Sequence, residues 1–228
     1  MLTALLASLL ALAQPPDSTL AALYGTWETS EAALRTVALD DGTRLTIATR
    51  YRAFSLTADA VTTTEVAVTT ADRPNVSDEP RASEQRTSYR ADTLTLTFPD
   101  GVRARLRPDD DRLGVTWIMS DSVRAEVLFR RSVRPHPLAG RWGITSVDEA
   151  GVPVFLTMSV SADGRVAMPG DASLGDAWIA GGFLIHQCER VGGDSETDRF
   201  RGCDVMPLRK QGRRIVMEGG GNAWMTRL

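Results

Sequence analysis

"HPLAGRW" at residues 136–142 has an echo in "AALYGTW" at residues 21–27. Both read Leu, one residue, Gly, one residue, Trp: Leu23-Gly25-Trp27 and Leu138-Gly140-Trp142. A turn-forming phrase precedes each. "PPDSTLAALYG" offers Pro, then Asp17 or Ser18 as a cap, then a short apolar stretch closed by Gly25. "RPHPLAG" is a shorter version of it. The endings match as well: "LFRRSV" closes the first half and "WMTRL" the second, with Leu128 and Arg130 alternating on one strand and Met225 and Arg227 on the other. Two openings at matching offsets, each leading to a close on Arg, read as an internal repeat. A chain of 228 residues exceeds one typical domain without requiring two, so the repeat sets the division. It gives a leader at 1–13, a first domain at 14–134 and a second at 135–228.

Between the two phrases the dominant rhythm is alternation. "LTLTFPDGVRARL" puts Leu94, Leu96 and Phe98 on one strand face, and Val102, Ala104 and Leu106 on one face of the next. Asp100-Gly101 between them is a hairpin signal, and Asp41-Gly42 and Asp163-Gly164 repeat the device. Val154, Leu156, Met158 and Val160 share a face ahead of the last of these. No stretch after the leader keeps a helical period for more than two turns, so the fold class is all-β, with helix limited to brief turns ahead of each Trp. The polar stretch around 70–86, with Pro74 and Pro80, reads as a long loop. Asn75-Val76-Ser77 within it matches a glycosylation acceptor, a signal of little weight in a composition of bacterial look.

Composition narrows the function. The net charge of −3 gives no strong attraction to nucleic acid or anionic lipid. Lys210 is the only Lys beside many Arg, a bias of genome composition before it is one of chemistry. The opening "MLTALLASLLALAQ" is an apolar run ending in Ala11-Leu12-Ala13, too short to span a bilayer but suited to a signal-peptide core with a small-residue cleavage site. No other segment is long enough to span a membrane as a helix. The periplasm or the extracellular space is the expected compartment. There, two cysteines, Cys188 and Cys203, predict a disulfide. The rival is a metal site with His186, for which the chain offers no obvious fourth ligand. No metal or cofactor is expected.

The Leu-x-Gly-x-Trp opening, the turn before it and the closing-strand Arg resemble the lipocalins of the calycin superfamily, in particular small bacterial lipocalin-like domains. The resemblance covers both halves and implies two tandem, small, antiparallel up-and-down β-barrels. In that family the first-strand Trp packs at the closed end against an Arg of the last strand. Carried over, this pairs Trp27 with Arg130, with Arg131 as the rival, and Trp142 with Arg227. A guanidinium on an indole face gains cation–π attraction, and its donors reach carbonyls at the closed end.

Sites of chemistry are sparse. Asp194, Glu196 and Asp198 fall at every second position but lack the rest of a calcium loop, and "EGGGNAW" has no helix after it to hold a phosphate. Two histidines, His136 and His186, come with no nucleophile motif, so no catalytic residue is assigned. His136, in Pro-His-Pro, reads as an exposed linker residue. "DAWIAGGFLIHQ" loads both strand faces with Trp178, Ile179, Phe183, Leu184 and Ile185. Such a strand must be covered on both sides, by the first barrel or by another subunit. Alternatively Met158, Trp178 and Phe183 line a ligand cavity in the second barrel. The expected function is non-enzymatic binding of a small apolar or amphipathic ligand. The alternatives are an envelope module with solid-packed barrels that binds protein, and a lipocalin-fold enzyme. An open interior favours the first and a filled one the second.

Overall fold

A computed structural model describes residues 18–40, 42–71, 79–119, 124–147, 150–169, 176–190, 198–219 and 223–228. The leader, the Asn75 acceptor motif and the tip carrying Asp194 and Glu196 lie outside the described residues. One helical turn, α1 (Ser18–Ala21), precedes the first strand. Among the described residues no helix is long and apolar enough to cross a membrane.

The rest is antiparallel strand. The first half holds β1 (Gly25–Thr29), β2 (Ala33–Ala38), β3 (Arg44–Leu56), β4 (Ala60–Ala71) and β5 (Pro80–Ser88). It continues with β6 (Arg90–Asp92), β7 (Thr95–Thr97), β8 (Arg103–Asp109), β9 (Arg112–Ile118) and β10 (Arg124–Arg131). The second half holds β11 (Gly140–Val147), β12 (Pro153–Val160), β13 (Arg165–Ala167) and β14 (Ala177–Ala180). Then come β15 (Phe183–Arg190), β16 (Asp198–Gln211), β17 (Arg214–Met217) and β18 (Ala223–Arg227). The three Asp-Gly signals each fall between paired strands, with Gly42, Gly101 and Gly164 at φ of +82°, +84° and +86°.

The pairings close on themselves. In the first half β1 pairs with β3, β3 with β4 and β4 with β5, which bends through Tyr89 into β6. From β6 each strand pairs with the next, and β10 returns to β1. With β5 and β6 taken as one bent strand, this is a closed eight-strand antiparallel barrel. β2 pairs with the first half of β3 beyond the end of β1. In the second half each strand pairs with the next, and β18 returns to β11. Each circuit has its own buried cluster, one around Phe54, Leu96 and Leu113, the other around Ile144, Met158 and Met225.

The two circuits are not separate sheets. β16 runs on past its partner β15 and pairs residues 198–204 with Arg81–Thr87 of β5. A third cluster forms beside this joint, with Tyr51, Ala53, Val66 and Ala82 from the first half and Ile185 and Cys203 from the second. Here the doubly apolar stretch finds its cover. Ile179 and Leu184 face the second cluster, while Trp178, Phe183 and Ile185 face the joint.

Much of the polar stretch 70–86 is strand rather than loop, with 72–78 outside the described residues. β4 runs to Ala71 and β5 starts at Pro80. Both faces of β5 take polar side chains, because Ser83, Gln85 and Thr87 face a cavity and Glu84 meets an arginine across the joint. The alternation that marks a half-buried strand is therefore hidden.

Candidate functional site

The repeated phrase builds the same corner twice. Trp27 Nε1 donates to the Leu23 carbonyl at 2.9 Å, and Trp142 Nε1 to the Leu138 carbonyl at 2.8 Å. Trp27 lies opposite Arg131 in the strand register, and Trp142 opposite Arg227. The guanidinium carbons stand 4.8 Å and 5.9 Å from the ring centres. Arg131 Nη2 donates to the Ala22 carbonyl at 2.8 Å and Arg227 Nη2 to the Ala139 carbonyl at 3.0 Å. Gly140 sits at φ +135°, where an added Cβ would press on Arg227 Nη2 at 3.3 Å. Arg131, not Arg130, covers Trp27. Phe129 is buried and in phase with Arg131, as Met225 is with Arg227, whereas Arg130 is exposed opposite Glu28.

The cysteines are joined: Cys188 and Cys203 form a disulfide between β15 and β16. It sits at a bulge where the register shifts between His186 and Glu189 and Gln187 takes a positive φ of 50°. Buried His186 Nδ1 has no hydrogen-bond partner, and burial holds this imidazole below the ordinary histidine range against the pull of Asp204. Among the described residues no group of three or more His, Cys, Asp or Glu is placed to hold a metal ion.

The interiors of the two circuits differ. In the second, Met158 is 2 % exposed and packs with Trp142, Met217 and Met225. In the first, only the end nearest Trp27 is packed in that way, by Leu20, Leu23, Phe54 and Leu56. Toward the other end a cavity of about 450 Å³ opens. Its walls are of two kinds. Phe98, Trp117, Val127 and Phe129 make an apolar wall, with Phe98 stacked on Trp117 at 5.6 Å. Across from them β4 and β5 offer Thr63, Glu65, Ser83 and Gln85. Arg52 Nε donates to Glu65 Oε2 at 3.2 Å, and the buried Thr49 hydroxyl donates to Glu65 Oε1 at 2.9 Å.

A second, polar cleft of about 260 Å³ lies at the joint. Trp178, His136, Glu28, Glu84, Asp176 and Arg201 are among its walls. Tyr51, with its hydroxyl donating to Glu28 Oε2 at 3.0 Å, is pushed well above the ordinary tyrosine range by burial first and by the Glu28 charge second. His136 is not an exposed linker residue. It is half-buried, its backbone N–H donates to the Ala162 carbonyl at 2.8 Å, and its Nδ1 accepts from the Leu138 N–H at 3.2 Å. Burial holds it below the ordinary histidine range, against the pull of Glu28.

Of the three residues expected to line a ligand cavity, Met158 lies in the second core, Trp178 lines the cleft at the joint, and Phe183 packs on the joint cluster. The lining of the first-half cavity was missed from sequence. The available signal was that Arg52 shares a strand phase with Phe54 and Leu56, and Glu65 one with Val61, so charge sits on an otherwise inward face. The chain matches no family model, no curated protein and no solved structure.

Proposed function

We propose that the protein is an exported, non-enzymatic, lipocalin-like binding protein. A small amphipathic ligand occupies the interior of the first barrel. The observation that carries this reading is the half-filled lumen: packed at the Trp27 end, open over about 450 Å³ at the other, with one apolar and one polar wall. A volume of this order, apolar with a few convergent polar groups, suits a small organic molecule. The apolar leader and the Cys188–Cys203 disulfide support export to the periplasm or beyond. Trp178 and Phe183 serve packing at the joint in this reading rather than ligand contact.

The second reading, a protein-binding module, is favoured for the second half by its filled interior and by Phe155, 74 % exposed on β12.

The test is a titration of the full mature chain with an uncharged environment-sensitive alkyl probe, beside Val127→Trp, which fills the lumen. Saturable binding near ~1 μM, or roughly 8 kcal/mol, is expected for the native chain and loss of it for the variant. Absence of saturable binding, or undiminished binding by Val127→Trp with its circular dichroism unchanged, overturns the lumen reading.

A further inference from the structure

Glu65 stands on β4 between two guanidinium groups. Its Oε2 accepts from Arg52 Nε, and its Oε1 lies 3.6 Å from Arg35 Nη2. Arg52 Nη2 donates in turn to Thr49 Oγ1 at 3.2 Å, whose own hydroxyl hydrogen goes to Glu65. Two cations thus share one carboxylate, and the group carries one positive charge in excess. Thr49 is 1 % exposed, and Arg52 and Glu65 keep 23 % and 25 % of their side-chain surface, so these three are set in the wall and still reachable from the cavity.

Among the described residues, the remaining charged side chain on the cavity wall is Asp100. It belongs to the turn between β7 and β8, where its Oδ1 accepts the Val102 N–H at 3.0 Å. The charges are therefore segregated: the cations on β2 and β3, Asp100 on a turn of the wall that also carries Phe98. A guanidinium has five N–H donors in a fork that matches carboxylate and phosphate oxygens, and Arg52 has committed only part of its set. In a partly enclosed lumen such a charge is felt more strongly than in bulk water.

We infer that the lumen ligand is an anionic amphiphile, its carboxylate or phosphate head held by Arg35 and Arg52 and its apolar body laid on Phe98, Trp117, Val127 and Phe129. This rests on the lumen reading and adds to it the sign of the head group. Glu65 is a positioning residue: it fixes Arg52 on the cavity wall by a hydrogen bond, draws Arg35 toward it by charge, and leaves one charge uncompensated.

The experiment compares four ligands of equal chain length on the full chain, the ionic ones below their micelle concentrations and the alcohol below its solubility: dodecanoate, dodecyl phosphate, dodecanol and dodecylammonium. Displacement of the alkyl probe is the readout. The anions are expected to bind about tenfold more tightly than dodecanol, the equivalent of roughly one charge-assisted hydrogen bond, with dodecylammonium weakest. The tighter of the two anions identifies the head. Arg35→Gln, at a side chain 60 % exposed and outside the core, should bring dodecanoate down to the level of dodecanol. Equal binding of dodecanol and both anions by the native chain overturns the inference and leaves the lumen reading standing. So does an anion preference that survives Arg35→Gln. Failure of all four ligands to bind overturns both.

Discussion

Each closing tryptophan is held by three contacts of different kinds: its indole N–H on a carbonyl four residues back, a guanidinium over its face, and the buried apolar cluster beneath it. The guanidinium contributes twice, through the ring and through the carbonyl it caps. Arg131→Ala should therefore lower stability by about 1–2 kcal/mol, whereas Arg130→Ala should change it by less than ~0.5 kcal/mol, as surface changes do. Urea unfolding of the two variants decides it, and equal losses would restore Arg130. At this scale the sequence was informative for Leu23, Gly25, Trp27 and their repeat, because each has a local duty. It was ambiguous for the arginine, because Leu128 and Phe129 are adjacent and either could set the phase of the strand. Only the register with β1 resolves the choice.

At the scale of elements, the turn between β14 and β15 decides how the halves meet. Gly181 sits at φ +57°, and an added Cβ would fall 2.2 Å from the buried Tyr51 ring. Two ion pairs flank the joint, Arg201 with Glu84 at 2.7 Å and Arg81 with Asp204. Both are partly exposed and contribute modestly, so close packing at Tyr51 carries more of the joint. Gly181→Ala combines overpacking with an unfavourable backbone and should cost about 1–3 kcal/mol. It should also raise hydrogen exchange in 81–87 of β5 ahead of β9. Uniform exchange across the first half, with stability unchanged, would show that Tyr51 does not govern the joint. The need for this joint was legible in "AWIAGGFLI", apolar on both faces. Its partner was not, because β5, Ala82 apart, is polar on both faces and pairs through its backbone.

For the whole molecule, pH acts through two half-buried histidines. Burial keeps both His136 and His186 below the ordinary range in the folded chain, while the unfolded chain protonates them near ~6.5. Between that value and their lower folded values the unfolded state binds more protons, so stability falls as pH falls. Their contribution is complete above the unfolded value and lost as pH drops through the folded ones. Urea midpoints should accordingly decline from pH 7.5 to 5.5, with a flatter decline in the His136→Asn, His186→Asn double variant. An unchanged slope in that variant would assign the dependence to other groups. The cavity belongs to this scale as well, and it was the least legible feature. Its volume depends on which inward side chains of eight strands fail to meet, a property of closure rather than of any segment.

The shared strand also has a consequence for the order in which the protein is made. β5 is complete some 110 residues before its partner on β16 exists, as the pairing of Thr87 with Asp198 shows. A contact so distant along the chain forms late and slows folding. Until the C-terminal half arrives, β5 presents an unpaired backbone edge, which is a template for pairing with other chains. Its side chains answer that hazard: Arg81, Glu84 and Arg86 stud the edge with charge. The same polarity that hides the strand from a sequence reader protects the nascent chain while it waits.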